Sequence, residues 1–117
     1  MLKYKGIYRQ LGDCYVALEE PDSAQMVYEM GTKINPDNIH IHTKLQWIYE
    51  GKMDFERSIE ETKIILEWSK DDAENQEYYL TKLKDLYLRN DQIDDAIGIF
   101  DKLIALKPDN KELQDQK

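Results

Sequence analysis

The stretch YRQLGDCY, residues 8–15, decides the fold of this chain, because its pattern returns twice further along the sequence. A shift of 34 residues carries Tyr15 onto Tyr49, and a further shift of 38 residues carries it onto Tyr87. Two more positions repeat in the same register, namely the small residues Ala24, Ser58 and Ala96 and the apolar residues Ile34, Trp68 and Leu106. Three matches in register predict a chain built from three copies of one supersecondary unit.

Each unit reads as two helices separated by a short polar break. In the first unit Ile7, Leu11 and Tyr15 fall at the spacing of one helix face. Pro36 ends a helix because it has no backbone N–H to donate, and the Asp and Asn residues beside it favour the start of the next one. The predicted helices span residues 5–18, 22–34, 39–51, 55–70, 76–89 and 93–106. The alternation typical of strands is missing, so the predicted class is all-α.

These units resemble the tetratricopeptide repeat, whose pattern W-x2-L-G-x2-Y…A-x3-F…P is followed almost in full by the first of them. The matching residues are Leu11, Gly12, Tyr15, Ala24, Tyr28 and Pro36. The resemblance spans about residues 5–110 and implies an α-solenoid, in which antiparallel helix pairs stack into a right-handed superhelix. It also implies about six helices, a short C-terminal stub and a concave face that binds peptides.

Residues 1–117 are expected to form one such domain of three repeats. The expected repeat bounds are about 5–38, 39–72 and 77–110, with a four-residue insertion near 73–76. We expect the insertion to lengthen the fourth helix or to loosen the linker after it. In the middle unit Gln46 replaces the small Gly12 and Thr62 replaces the usual aromatic residue. We therefore expect the two helices of this pair to splay slightly or the Gln46 side chain to point outward. We also expect this unit to be the least tightly packed.

Composition and charge exclude several classes of function. The 117 residues carry 16 Lys and Arg against 24 Asp and Glu, which gives a net charge of −8 and a pI near 4.7. This charge repels a phosphate backbone, so nucleic acid is not an expected partner. A membrane is not expected either, because every apolar run falls well short of the ~18 residues that a spanning helix needs. The only cysteine, Cys14, favours a cytoplasmic or nuclear location and is expected to be a small buried residue.

The residues that could carry chemistry are better explained as structural ones. His40 and His42 lie two apart on a predicted helix, so their side chains diverge and cannot share one metal ion. The acidic cluster at residues 91–95 lacks the glycine and the ligand spacing of a calcium loop, and it fits the start of a helix. We therefore predict a protein that is not an enzyme and that needs neither a metal nor another cofactor.

The first helices of the three pairs are expected to line the concave face, and helical spacing selects the side chains that point into it. They are Arg9, Asp13, Val16 and Ala17 in the first unit, His40, Thr43, Lys44, Trp47 and Glu50 in the second, and Tyr78, Thr81, Lys82, Asp85 and Arg89 in the third. Trp47 and Tyr78 belong to the residue types that dominate interface hot spots. The prediction is a non-catalytic interaction module that binds a peptide or protein segment on this face.

The resemblance also names a candidate partner, the acidic C-terminal tail of Hsp70 or Hsp90 chaperones. The family grips that tail with a clamp of basic and amide side chains. Arg9 and Lys82 keep two of the basic positions of this clamp. Asp13 and Lys44 replace the amides, however, and Tyr78 replaces the remaining basic residue. The chaperone tail is therefore a candidate ligand for which the clamp is incomplete.

The alternative function belongs to a different class, that of a scaffold. Each unit of a solenoid buries its apolar face only against a neighbour. After Pro108 the only apolar residue is Leu113, which is too little for a full capping helix. The chain is therefore expected to be a fragment of a longer array, or to associate with a second copy through its ends and convex face.

Overall fold

The computed structural model describes residues 5–106, and this part of the chain consists of six helices without a strand. The helices are α1 (Lys5–Ala17), α2 (Pro21–Ile34), α3 (Ile39–Gly51), α4 (Phe55–Trp68), α5 (Ala73–Arg89) and α6 (Ile93–Leu106). They pack as three consecutive pairs, which meet through α2 against α3 and α4 against α5. The predicted all-α fold of six paired helices is confirmed. The predicted C-terminal stub lies outside the described residues.

The start of α5 differs from the prediction. The backbone N–H of Asn75 donates to the side chain of Asp72 at 3.2 Å, which makes Asp72 the N-cap. The helix therefore begins at Ala73 and has 17 residues, against 13 in α1 and in α3. The extra residues 73–76 form the first turn of α5, so the expectation of a longer fourth helix or a looser linker was wrong. The repeat bounds 5–38, 39–72 and 77–110 stay a prediction.

The turn inside each pair has the same backbone conformation three times. A residue with a left-handed φ of 59°, 60° and 59° follows the first helix, at Glu19, Met53 and Asp91 respectively. The next N–H then donates to a carbonyl five residues earlier, at 2.9, 2.9 and 2.8 Å, and these carbonyls belong to Tyr15, Tyr49 and Tyr87. This is the Schellman ending of a helix, in which a left-handed residue lets the last carbonyls find donors. The repeated tyrosine therefore marks the same turn in every pair.

The first pair is held together by an aromatic ring packed onto a glycine. Tyr28 on α2 is completely buried, and its ring lies directly over Gly12 on α1. A Cβ atom at Gly12 would lie 2.5 Å from Cδ1 and 2.7 Å from Cζ of that ring. The missing side chain is thus what lets α1 and α2 approach each other, as the repeat pattern predicts.

In the middle pair, polar side chains fill the contact between the two helices. Gln46 does not point outward, which was one of the two arrangements expected; it is buried, and its amide donates to the Ser58 hydroxyl at 3.3 Å. Ser58 in turn donates to the Gln46 carbonyl at 3.1 Å, and the Thr62 hydroxyl donates to the Ser58 carbonyl at 2.8 Å. Burying a polar group is tolerable when its hydrogen bonds are made. A large residue at 46 and a small one at 62 therefore reverse the sizes found at Gly12 and Tyr28.

A buried ion pair ties the linker between the first two pairs to the second pair. His42 on α3 is buried, and its Nδ1 lies 2.6 Å from Oε2 of Glu61 on α4. Its Nε2 lies 2.5 Å from the carbonyl oxygen of Pro36 in the linker. Both ring nitrogens therefore face acceptors, which favours the doubly protonated imidazolium. The hydrogen bond to Glu61 raises the pKa of His42; burial opposes this rise, and the Pro36 carbonyl adds to it.

Cys14 is exposed, which contradicts the expectation that it is buried. The reason is its position on α1, on the side that faces away from α2. The residue that corresponds to Cys14 in α3 is Ile48, which the preceding pair covers, whereas no described residue covers this side of α1.

Two glycine substitutions test the packing of the first pair. Gly12→Ala should lower the free energy of unfolding by about 2–3 kcal/mol, because its methyl group collides with the Tyr28 ring. Gly98→Ala, inside α6, meets nothing within 4 Å and should instead raise it by about 0.5–1 kcal/mol. Urea unfolding measures both values. A tolerated Gly12→Ala would contradict the close approach of α1 and α2.

The His42 pair predicts a pH-dependent stability. Because the folded-state pKa of His42 is raised above 6.5, its stabilisation is complete below pH 6.5 and is lost as the pH rises through the folded-state pKa. The free energy of unfolding should therefore fall as the pH is raised above 6.5, and His42→Gln should remove most of this fall. His40→Gln, which changes the other and more exposed histidine, should leave the slope in place. An unchanged slope in His42→Gln would refute this assignment.

Candidate functional site

The first helices of the three pairs share one face, and a cleft of about 280 Å³ crosses it. The cleft is lined by Val16 from α1, by Thr43, Lys44, Gln46 and Trp47 from α3, and by Tyr78, Tyr79 and Lys82 from α5. Side chains also connect these helices directly, since His40 lies 3.1 Å from Asp13 and Lys82 lies 3.2 Å from Glu50. Six of the residues that were selected from helical spacing line this cleft, namely Val16, Thr43, Lys44, Trp47, Tyr78 and Lys82.

Two large aromatic side chains stand open in this cleft. Trp47 and Tyr78 are each 58% exposed, whereas the repeated residues Tyr49 and Tyr87 are buried in the core. The ring of Tyr79 meets that of Tyr78 edge-on, with centroids 4.9 Å apart and an angle of 84° between the ring planes. The pair of tyrosines gives one side of the cleft a defined aromatic wall opposite α3.

Asp13 is a fixed negative charge at the α1 side of this face. Its carboxylate accepts a hydrogen bond from the Tyr28 hydroxyl and lies 3.1 Å from Nε2 of His40. Burial raises the pKa of Asp13, but the hydrogen bonds from Tyr28 and His40 and the charge of Lys44 outweigh it, so the pKa lies below its usual value. Burial and the neighbouring carboxylate also raise the pKa of Tyr28. The group therefore stays ionised at neutral pH and is held in place by α2 and α3.

Glu50 neutralises two of the basic residues that were expected to meet a ligand. Its carboxylate lies 3.2 Å from Nζ of Lys82 and 3.4 Å from Nη1 of Arg89, which bridges α3 to α5. The guanidinium of Arg89 also lies over the ring of Phe55, 4.9 Å from its centroid. Arg9 lies 3.9 Å from Asp13. Three of the four expected basic residues therefore have an acidic neighbour on this same face.

Two further predicted residues, Thr43 and Asp85, are less available than the pattern suggested. The Thr43 hydroxyl donates to the Ile39 carbonyl of its own helix at 2.9 Å. Asp85 lies 2.8 Å from Nζ of Lys84. Asp85 also borders a second cleft along α5, of about 440 Å³, whose other lining residues are Glu74, Glu77, Tyr78, Thr81 and Lys82.

The whole face has a mixed charge. Its basic residues are Arg9, Lys44, Lys82 and Arg89, and its acidic residues are Asp13, Glu50, Glu74, Glu77 and Asp85. With four positive and five negative side chains, the face is not a basic surface. It therefore differs from a site built only to attract carboxylates.

Spacing alone missed four residues of these clefts. Glu74 was overlooked because α5 was predicted to begin at residue 76, and recognition of Asp72 as an N-cap would have placed it on the helix. Glu77 lay inside the predicted helix but was not selected for the concave face. Tyr79 lines the cleft together with its neighbour Tyr78. Gln46 was expected to point outward or to splay its helix pair. The contacts of Asp13 with residues 15 and 27 positions away carry no local signal at all.

Comparison with known proteins agrees with this architecture. A family model described as tetratricopeptide repeat matches residues 6–38, which are α1, α2 and the linker after them. Residues 6–38 therefore match a tetratricopeptide repeat, and the six helices share the fold of tetratricopeptide-repeat domains. The family model covers only the first pair, and the tetratricopeptide-repeat fold of the second and third pairs rests on the structure and on solved relatives. Tetratricopeptide-repeat modules typically serve protein–protein interaction and are generally non-catalytic.

Solved structures with this tetratricopeptide-repeat fold match nearly the whole chain. The N-terminal domain of stress-induced protein-1 (STI-1) from C. elegans superposes with a TM-score of 0.76 at 14% identity, covering 97% of this chain and 91% of its own. The D159K mutant of MamA gives 0.71 at 18% identity, with 93% and 61% covered. The first tetratricopeptide-repeat domain of Spaghetti (RPAP3), bound to the HSP90 peptide SRMEEVD, gives 0.63 at 14% identity, with 97% and 89% covered.

At these identities the likeness concerns the fold alone. No curated protein matches this sequence. Among residues 5–106, none of the helices is long and apolar enough to cross a membrane.

Proposed function

We propose that this chain is a non-catalytic module that binds an extended or helical peptide segment along the face shared by α1, α3 and α5. The observation that carries the proposal is the pair of half-exposed aromatic side chains, Trp47 and Tyr78, in one cleft between two helices. Such residues lose much contact with water when a partner covers them, and they carry much of the binding energy in known interfaces. The single cysteine suits the reducing conditions of the cytoplasm or nucleus.

The chemistry of the face selects the kind of peptide. An apolar or aromatic side chain of the ligand fits between Trp47 and Tyr78. A carboxylate of the ligand meets Lys44 in the same cleft. The ligand also carries a positive charge, because Glu74 and Glu77 border the face at the start of α5. Lys82 and Arg89 both pair with Glu50, and these ion pairs link α3 to α5 on the face that binds the ligand.

An acidic chaperone tail is a poorer ligand for this face. The Spaghetti domain binds the HSP90 peptide SRMEEVD, in which three of the last four residues are acidic. In this chain Asp13 stands where the family resemblance places a clamp amide, and it is held there as an anion by Tyr28 and His40. A fixed carboxylate at that position repels the carboxylates of the tail.

Two matched tryptophan variants test the proposed groove. A random peptide library displayed on phage is selected against the full chain, and the selected peptides are titrated against each variant by calorimetry. Trp47→Ala should weaken their binding by at least about 10-fold, since it removes the central anchor. Trp68→Ala is the control, because Trp68 is 56% exposed but borders a different cleft beside α2 and α4.

Binding that survives Trp47→Ala unchanged, or that is lost with Trp68→Ala, would place the ligand on another surface. Failure to select any peptide, with a folded protein, would equally count against a peptide groove. Lys44→Glu adds a second readout, since it should weaken only those selected peptides that carry an acidic residue.

A charge substitution tests the argument about the chaperone tail. Asp13→Asn removes the fixed anion and should strengthen binding of the peptide SRMEEVD by roughly 3- to 10-fold. Asp95→Asn makes the same change in net charge on α6, away from the face, and should leave the affinity unchanged. Equal effects of the two variants in a fluorescence-anisotropy titration would show that only the overall charge matters.

A further inference from the structure

The two end helices of the described array expose apolar side chains on their outer sides. On α1 Ile7 is 46% exposed and Leu11 is 42% exposed, and Cys14 lies next to them. On α6 Ile93 is 48% exposed and Ile97 is 45% exposed. Each set follows the spacing of a single helix face, so each forms a stripe rather than scattered contacts. An apolar stripe on a protein surface usually marks a contact with another molecule.

The stripe on α1 has a buried counterpart in the next pair. We name Ile7, Leu11 and Cys14 the α1 seam. A shift of 34 residues carries these three positions onto α3, where the residues are Ile41, Leu45 and Ile48. In α3 they are only 0%, 1% and 3% exposed, because α2 covers them. The α1 seam is thus the surface through which the first helix of one pair packs against the second helix of the preceding pair.

The stripe on α6 has its counterpart on α4. We name Ile93, Ile97 and Ile104 the α6 seam. A shift of 38 residues back along the chain carries these three positions onto Phe55, Ile59 and Leu66. Those three side chains pack into the cluster that contains Leu83 and Leu86 of α5. Leu83 and Leu86 occupy on α5 the same repeat positions that Leu11 and Cys14 occupy on α1.

The geometry points to a head-to-tail contact between copies of this chain, in which the α6 seam of one copy packs on the α1 seam of the next. This contact repeats between molecules the packing that α4 makes on α5 within the molecule. The partner is a second copy because the described part of the chain itself carries both halves of the contact, in the same register. Such an interface joins two different surfaces, so it leaves a free seam at each end and extends beyond a dimer.

The contact uses neither Trp47 nor Lys44, so it goes beyond the proposed groove and is independent of it. Stacking in this way would also continue the face of α1, α3 and α5 from one copy to the next. A longer ligand could then touch two copies, which raises its overall affinity without any new kind of contact.

Two single variants of the full chain separate the two seams. Leu11→Glu places a charge in the α1 seam, and Ile97→Glu places one in the α6 seam. Both positions are well exposed, so the fold should persist, and circular dichroism checks it. Each charge should weaken association by at least about 100-fold. Met26→Glu is the control, since Met26 is 59% exposed on α2 and belongs to neither seam.

Sedimentation velocity over a range from about 10 μM to 1 mM, which covers weak contacts, gives the readout. Wild type and Met26→Glu should show a mass that rises with concentration beyond a dimer. Each seam variant alone should stay monomeric. An equimolar mixture of Leu11→Glu and Ile97→Glu should form one heterodimer that does not grow further, because each variant retains one intact seam.

Three results would overturn the inference. A monomeric wild type over the whole range shows that the seams do not meet. If the Ile97→Glu variant self-associates and the Leu11→Glu variant does not, the contact is a symmetric one between α1 of one copy and α1 of another. A mixture of the two variants that stays monomeric shows that the α1 seam and the α6 seam are not partners.

Discussion

The packing of α4 on α5, where Phe55, Ile59 and Leu66 meet Leu83 and Leu86, sets the spacing on which the rest of the structure depends. In a helical repeat each pair buries its apolar side only against its neighbour, so the register of this contact decides where every other surface lies. Between the first two pairs, Ala24 and Tyr28 of α2 lie in one buried cluster with Ile41 and Leu45 of α3. Because α2 and α4 occupy one side of α3 and α5, the opposite side of the first helices remains open to a ligand.

This open face is stabilised by the charges that were expected to bind the ligand. Glu50 pairs with Lys82 and Arg89, and Asp13 pairs with His40 and the Tyr28 hydroxyl. Many charged side chains of the face therefore interact with each other across neighbouring helices. A paired charge attracts a ligand less strongly than an isolated one. We therefore expect the exposed aromatic rings of Trp47 and Tyr78 to supply most of the energy of binding in the proposed groove. This distinguishes the face from a clamp made only of basic and amide groups.

The sequence predicted the helices well because their signals are local. Gly12, the recurring Tyr15, Tyr49 and Tyr87, and Pro36 each act within a turn or two of the chain, and they placed five of the six helix starts within one residue. The start of α5 was missed because residues 73–76 were interpreted as an insertion, although Asp72 caps a helix that contains them. Cys14 and Gln46 were misjudged because burial depends on partners far away in sequence. Helical spacing selected Lys44, Trp47 and Tyr78 of the cleft, whereas the ion pairs of Glu50 and Asp13 carried no signal in the sequence.

The two tryptophan side chains report on whether a ligand binds to the face that α1, α3 and α5 share. Trp47 and Trp68 lie on different surfaces, and each indole N–H gives one signal in a nitrogen–proton correlation spectrum of the labelled protein. On titration with a selected peptide, the account predicts a shift of the Trp47 indole signal and a stationary Trp68 signal. A shift of the Trp68 signal with Trp47 unmoved would contradict the account.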